Sequence, residues 1–207
     1  MSGKVVDLFA GCGGLSLGLE QAGFETVFVN ELHPIAMQTY LENRIHTSLN
    51  LTANHCFDIL SLSQKPAELE ALSRRLNKEH GDVDLVVGGP PCQGFSGIGH
   101  RRSFDLAKED IPSNHLYREM ARVVEAIAPK AFVFENVRGL LNSRWTPSGE
   151  KGEIWGDVQQ TFRNLTVRKG RKSLQYAIRA QLVFAKDYGV AQNRPRIIMV
   201  GIREDVL

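Results

Sequence analysis

Short apolar runs alternate with helix-period segments from the first residues onward, and this alternation narrows the possible folds more than any other feature. Residues 5–9 read as a buried strand, 15–22 as a helix and 26–29 as a second strand. A further helix opens around Pro34, which suits a first helical turn. A weaker strand is expected over 55–57 and a helix over 66–78, followed by a strand over 84–87 that ends at Gly88. Between residues 114 and 128, Leu116, Met120, Val123, Val124 and Ile127 share one helical face, and Pro129 stops the helix. Residues 132–134 and 197–200 read as the remaining strands. Strands separated by helices of this length imply an α/β fold, a mostly parallel sheet with helices on both faces. No repeat or linker divides the chain, so residues 1–207 are expected to form one domain. Residues 142–156, rich in Gly, Ser, Pro and Trp, read as a long loop or insertion.

Composition excludes several classes of protein. With 43% hydrophobic and 23% charged residues the chain has globular values. The net charge of +2 neither requires nor forbids a polyanionic partner. Arg163, Arg168, Lys169, Arg171 and Lys172 form a local basic run, whose ordinary meaning is a solvated face. Three cysteines without a C-x-x-C spacing argue against a disulfide framework and against a metal site. No stretch approaches the ~20 apolar residues needed to span a bilayer. A soluble, cytoplasmic protein without membrane partners is expected, nucleoid-associated if bacterial.

In an open parallel sheet, ligands bind beyond the carboxyl ends of the strands. The first such end carries Phe9, Gly11, Gly13 and Gly14, where glycines allow a sharp turn and close ligand approach before a helix N-terminus. Ser16 stands where the dinucleotide-binding form has its third glycine. Glu31, at the second strand end, is placed to accept from ribose hydroxyls, and Asp58, after the third, from an adenine amino group. Together these ends describe a nucleoside pocket without specifying the cofactor.

The fourth strand runs into Gly88, Gly89, Pro90, Pro91, Cys92 and Gln93. Cys12 and Cys56 take the default reading of inert buried thiols. Cys92 differs, because two rigid prolines hold it at the ligand-binding edge, where it can serve as a nucleophile. Glu135, ending the fifth strand, faces the same edge; a buried carboxyl there would favour its protonated form and could donate to a ring nitrogen.

These segments, with Asn136-Val137 and Gln192-Asn193-Arg194-Pro195-Arg196, resemble the successive motifs of the C5-cytosine DNA methyltransferase family, in the family's order and over nearly the whole chain. The resemblance implies a Rossmann-like, S-adenosylmethionine-dependent methyltransferase fold. It implies a DNA (cytosine-5-)-methyltransferase, of the kind found in restriction-modification systems, acting on a flipped-out base of double-stranded DNA. Cys92, Glu135 and Arg194 take the catalytic roles. Phe9, Gly11, Gly13, Glu31, Leu32, Asp58 and Pro91 line the S-adenosyl-L-methionine pocket. Leu32 stands where the family often has a bulkier residue. Ser96, Arg101, Asn136, Val137, Gln192 and Arg196 take substrate-binding roles. Family members continue into a target-recognition domain and a closing motif, so a second subunit or C-terminal extension is expected as a partner. A silent subunit or fragment of a split enzyme, and a tRNA cytosine-5 methyltransferase, are the alternatives.

Overall fold

A computed structural model describes residues 2–44, 54–91 and 108–207. Its main sheet has seven strands: β1 (Gly3–Leu8), β2 (Phe24–Asn30), β3 (His55–Cys56), β4 (Leu85–Gly88), β5 (Ala131–Val137), β8 (Tyr176–Phe184) and β9 (Pro195–Arg203), in the order β3-β2-β1-β4-β5-β9-β8. The first five are parallel, whereas β9 runs antiparallel to both β5 and β8. A separate hairpin joins β6 (Val167–Lys169) to β7 (Lys172–Leu174).

Helices cover both faces. On one lie α3 (Ile59–Ser63), α4 (Pro66–His80), α5 (Tyr117–Ile127) and α6 (Glu153–Arg163). They pack Leu72, Leu76, Val124 and Phe162 against Val6, Leu8, Val86, Phe132 and Phe134 in the largest core cluster. Each fully buried side chain of this size contributes about 1.5–3 kcal/mol. On the opposite face α1 (Gly14–Gln21) sets Leu15 and Leu19 against Val5, Leu85 and Val87, and α2 (Pro34–Glu42) sets Met37 and Tyr40 against Val29. Over β9 and β8 no helix among the described residues covers this second face. Ala177, Val183, Ile198, Val200, Ile202 and Leu207 line a groove of about 720 Å³ there.

The expected strands and helices are present, and α3, α6, the β6–β7 hairpin and β8 are found besides them. Residues 153–156 belong to α6 rather than to a loop. Gly152 at φ 90° starts this helix, and the Glu153 carboxylate accepts from the backbone N–H groups of Trp145 and Glu150, a local closure that composition concealed. Strand β8 was not expected, although Tyr176, Ile178, Ala180 and Leu182 alternate with more exposed residues along it. The basic run lies on α6 and the β6–β7 hairpin. Lys169 pairs there with Asp82 at 2.7 Å, near the amino end of β4 and opposite the edge where ligands are expected.

The β5–β9 register sets the positions of Glu135 and Arg196, and Gly201 is part of what permits it. A Cβ at Gly201 would run into the ring of Phe132, itself fully buried, tilted against Phe162 and edge-on to Tyr176. Gly201→Ala should therefore cost about 1–3 kcal/mol through overpacking, read as a lower urea midpoint with an unchanged slope. A midpoint equal to the parent's would show that the β5–β9 contact is looser than described.

Candidate active site

Strand order reverses between β1 and β4, and the main cavity, about 890 Å³, lies at the carboxyl ends of the strands around this point. Phe9 after β1, Glu31 and Leu32 after β2, Phe57 and Asp58 after β3, and Gly89 and Pro91 after β4 all line it. Pro112, Ser113 and Leu116 close the side towards α5.

Asn30 ties these ends together and was missed as a site residue, although it sits beside Glu31 in the sequence. Its carboxamide is 1% exposed; the oxygen accepts from Phe9 N at 3.3 Å, and the nitrogen donates to Cys56 O at 3.0 Å and Phe57 O at 2.9 Å. Glu31 accepts from Gly11 N and His33 N, both at 2.7 Å. Each of its oxygens keeps acceptor capacity for a ligand hydroxyl. Asp58 caps α3 by accepting from Leu60 N at 3.0 Å while lining the cavity. Leu32 is 66% exposed, an apolar surface at the cavity rim. Gly11 and Gly13 shape the turn, at φ 56° and 86°, rather than line the cavity. Phe9 is also in the left-handed region, at φ 55°, which is costly for a side chain of this size. Cys12 is exposed, not buried as expected, because it sits on the open turn between these glycines. Cys56 is half-buried; its Sγ lies 3.1 Å from Asp58 O, and burial pushes the thiol up, as expected of an inert cysteine.

The edge at the ends of β4 and β5 is organised around Glu135. A Cβ on Gly89 would come within 2.9 Å of Glu135 Oε2, so this carboxylate lies against the loop that leads to Cys92. Asn136 is 3% exposed and donates to Pro90 O at 3.1 Å, fastening the same loop to β5. Cys92, Ser96 and Arg101 themselves lie outside the described residues. Glu135 is not the buried carboxyl the sequence suggested. Its side chain is 29% exposed, and Arg196 Nε pairs with Oε1 at 2.6 Å. Of the two arginines in the last motif, Arg196 thus reaches Glu135, while Arg194 and Gln192 have exposed side chains. Val137 is half-buried against the main core.

Below the glycine turn lies a buried polar group that sequence reading passed over. Asp7 is fully buried, and neither carboxylate oxygen has a hydrogen-bonding partner among the described residues. Burial pushes its carboxyl up to about 7, against the opposing influence of Ser16 and Arg44.

Comparison with known proteins agrees with this geometry. The family model described as C-5 cytosine-specific DNA methylase matches residues 3–207. Type II methyltransferase M1.HphI of Haemophilus parahaemolyticus is 35% identical over 99% of this chain and 47% of its own length. Type II methyltransferase M.AquIA of Picosynechococcus sp. is 34% identical over 98% of this chain and 73% of its own length. The chain spans under half the length of the first relatives it matches. Among solved structures, the S. pombe Dnmt2 methyltransferase superposes with a TM-score of 0.59 at 19% identity, covering 96% of this chain and 50% of that one, which supports the fold.

Asp7 gives this site a pH signature. The unfolded carboxyl ionises near pH ~4, whereas the folded one holds its proton to about pH 7. Between these values the folded state binds more protons than the unfolded chain, so stability falls as pH rises through the window and levels off above it. The change should amount to a few kcal/mol at most. Urea unfolding at pH 5 and pH 8 should show this loss in the parent, and Asp7→Asn should flatten it. Equal pH slopes in the two proteins would rule out Asp7 as the source.

Proposed function

Because this chain belongs to the C-5 cytosine-specific DNA methylase family, we propose that it is the S-adenosylmethionine-binding catalytic portion of a DNA cytosine-5 methyltransferase of a Type II restriction-modification system. The observation that carries this reading is the meeting of two features at one sheet edge. The nucleoside-sized cavity shares Gly89 and Pro91 with the loop leading to Cys92, and Glu135 lies against Gly89.

The residues present fit an adenosine-bearing cofactor. Glu31 is held by two backbone donors with acceptor capacity to spare for ribose hydroxyls, and Phe9, Leu32, Phe57 and Leu60 offer apolar walls for a base. When bound, S-adenosylmethionine supplies an electrophilic methyl group.

Cytosine C5 is a poor nucleophile within its aromatic ring. Cys92 thiolate forms a bond to C6, and the displaced electron pair makes C5 enamine-like while N3 takes a proton. Glu135 donates that proton to N3 and takes it back when the ring is restored, and Arg196 Nε, 2.6 Å from Oε1, orients its carboxyl group. After C5 is methylated, a base removes the C5 proton, the electrons return to the ring and the C6–S bond breaks. Asn136, through Pro90 O, keeps the Cys92 loop in register with Glu135. The C6 atom is inaccessible in a stacked duplex, so the target base is flipped out at a cost of a few kcal/mol. Ser96 and Arg101 contact the DNA backbone beside it.

Target recognition belongs to the portion that relatives have outside the match, whether as a C-terminal extension or as a second subunit. The uncovered apolar face of β9 and β8 offers a surface for that portion to pack on.

Trapping tests the mechanism as a whole. DNA with 5-fluorocytosine at the target should form a stable covalent complex with the complemented enzyme, because fluorine cannot leave as a cation. The adduct should require S-adenosylmethionine and should map to Cys92. Cys92→Ser should abolish turnover while leaving cofactor binding nearly intact, and Glu135→Gln should slow trapping by about 10²–10⁴-fold. An adduct that persists in Cys92→Ala would overturn the assignment. Trapping of fluorinated tRNA but not DNA would keep the chemistry and move the substrate to RNA.

A further inference from the structure

Arg44, just beyond α2, is 6% exposed, and its guanidinium is spent on the far side of the glycine turn. Nη2 donates to Gly13 O and to Ser16 Oγ, both at 3.0 Å, and Nε pairs with Glu20 at 2.9 Å. The planar group lies over the ring of Tyr40, 3.8 Å from its centroid. Gly13 is the left-handed N-cap of α1 and has no side-chain cap of its own. A Cβ there would meet Arg44 Nη1 at 2.5 Å and Tyr40 Cδ2 at 2.7 Å, so turn and guanidinium are fitted to each other. Glu20 is held a second time by Thr26 at 3.0 Å.

We propose that Arg44 is a positioning residue for cofactor binding, acting through the Gly13 carbonyl to hold the glycine turn and the first turn of α1 in their binding geometry. This rests on the reading of the main cavity as the S-adenosylmethionine site. Two physical points favour positioning over simple stabilisation. A buried ion pair adds little net stability compared with an apolar residue of similar volume. A planar fork, unlike a lysine ammonium, can meet a carboxylate, a carbonyl and a hydroxyl in one fixed arrangement. Helix N-termini favour anions, so a cofactor with its adenosine towards Glu31 and Leu32 would turn its methionine carboxylate towards the glycine turn.

The test uses NMR on the 207-residue chain, with Arg44→Met, Arg44→Lys and Arg44→Met/Glu20→Gln, the last removing the charge that Glu20 would otherwise keep unpaired. Amide exchange at Gly13 and Leu17, which donate to Ala10 O and Gly13 O in the turn, should accelerate about tenfold or more in all three. Titration should show S-adenosylmethionine affinity weakened about tenfold, with adenosine affinity changed less than about threefold. Arg44→Lys should not rescue either readout. Unchanged turn exchange with unchanged S-adenosylmethionine affinity would overturn the proposal. So would an equal loss of both ligands, which marks a general structural role. If the parent bound adenosine but not S-adenosylmethionine, the cofactor reading would fall, and turn exchange alone would decide whether Arg44 holds the turn.

Discussion

Strand β1 has no free edge, and the rest of the molecule is arranged around that constraint. Its backbone is hydrogen-bonded to β2 on one side and β4 on the other, and Val5, Val6, Asp7 and Leu8 are fully buried. Unpaired amides at this depth would cost several kcal/mol, so the chain must return to both sides of β1. It builds outward to β2 and β3, then crosses back to start β4 on the other side. A crevice opens where those directions part, and the loops after β1, β2, β3 and β4 converge on it. The cavity follows from satisfying one central strand, and Asn30 closes it by binding the ends of three strands through one carboxamide.

Several buried polar side chains lie around the same edge. Asp7, Asn30, Arg44 and Asn136 are each less than a tenth exposed, and none adds to the apolar core. Asn30 and Asn136 offset their burial by bonding to backbone groups of neighbouring loops, which adds rigidity where the chain lacks regular structure. Asp7 is only partly offset by Ser16 and Arg44, and burial raises its carboxyl to about 7. Stability is thus given up around the glycine turn, while α3–α6 and the large core cluster behind them supply it.

Much of this could be read from residues alone, and what could not has a common cause. The strands β1, β2, β4 and β5, the helices α4 and α5, and the residues Glu31, Asp58 and Glu135 show in short windows, because burial on both faces and strand-end chemistry are local signals. Helix α6 was concealed because Gly152 and Gly156 bracket its first turn. Strand β8 follows a basic hairpin and presents one face to an open groove, so its alternation is shallow. Asn30 and Arg44 escaped notice because their partners, Cys56, Phe57, Gly13 and Glu20, lie twenty or more residues away. Neither residue type announces a role in isolation.

The last motif shows how strand direction selects between two side chains. Sequence order gives no reason to prefer Arg196 over Arg194 as the partner of Glu135; strand direction does. In the otherwise parallel half of the sheet, a strand's carboxyl end lies at the ligand edge. Because β9 runs antiparallel to β5, it brings its first residues there instead, with Arg196 opposite Val137 and Ile198 opposite Glu135. Arg196 is therefore the diagonal neighbour of Glu135, within reach of a long side chain on the same face. A parallel β9 would have left Arg203 at this edge; in the actual fold Arg203 sits at the far end, held by Asp205 and the carbonyl of Ala128. The reversal also explains why Glu135 is only partly buried. It is covered by a charged partner from the start of a strand rather than by core side chains. Its carboxyl group is oriented by a guanidinium and stays open on the side where Gly89 approaches it.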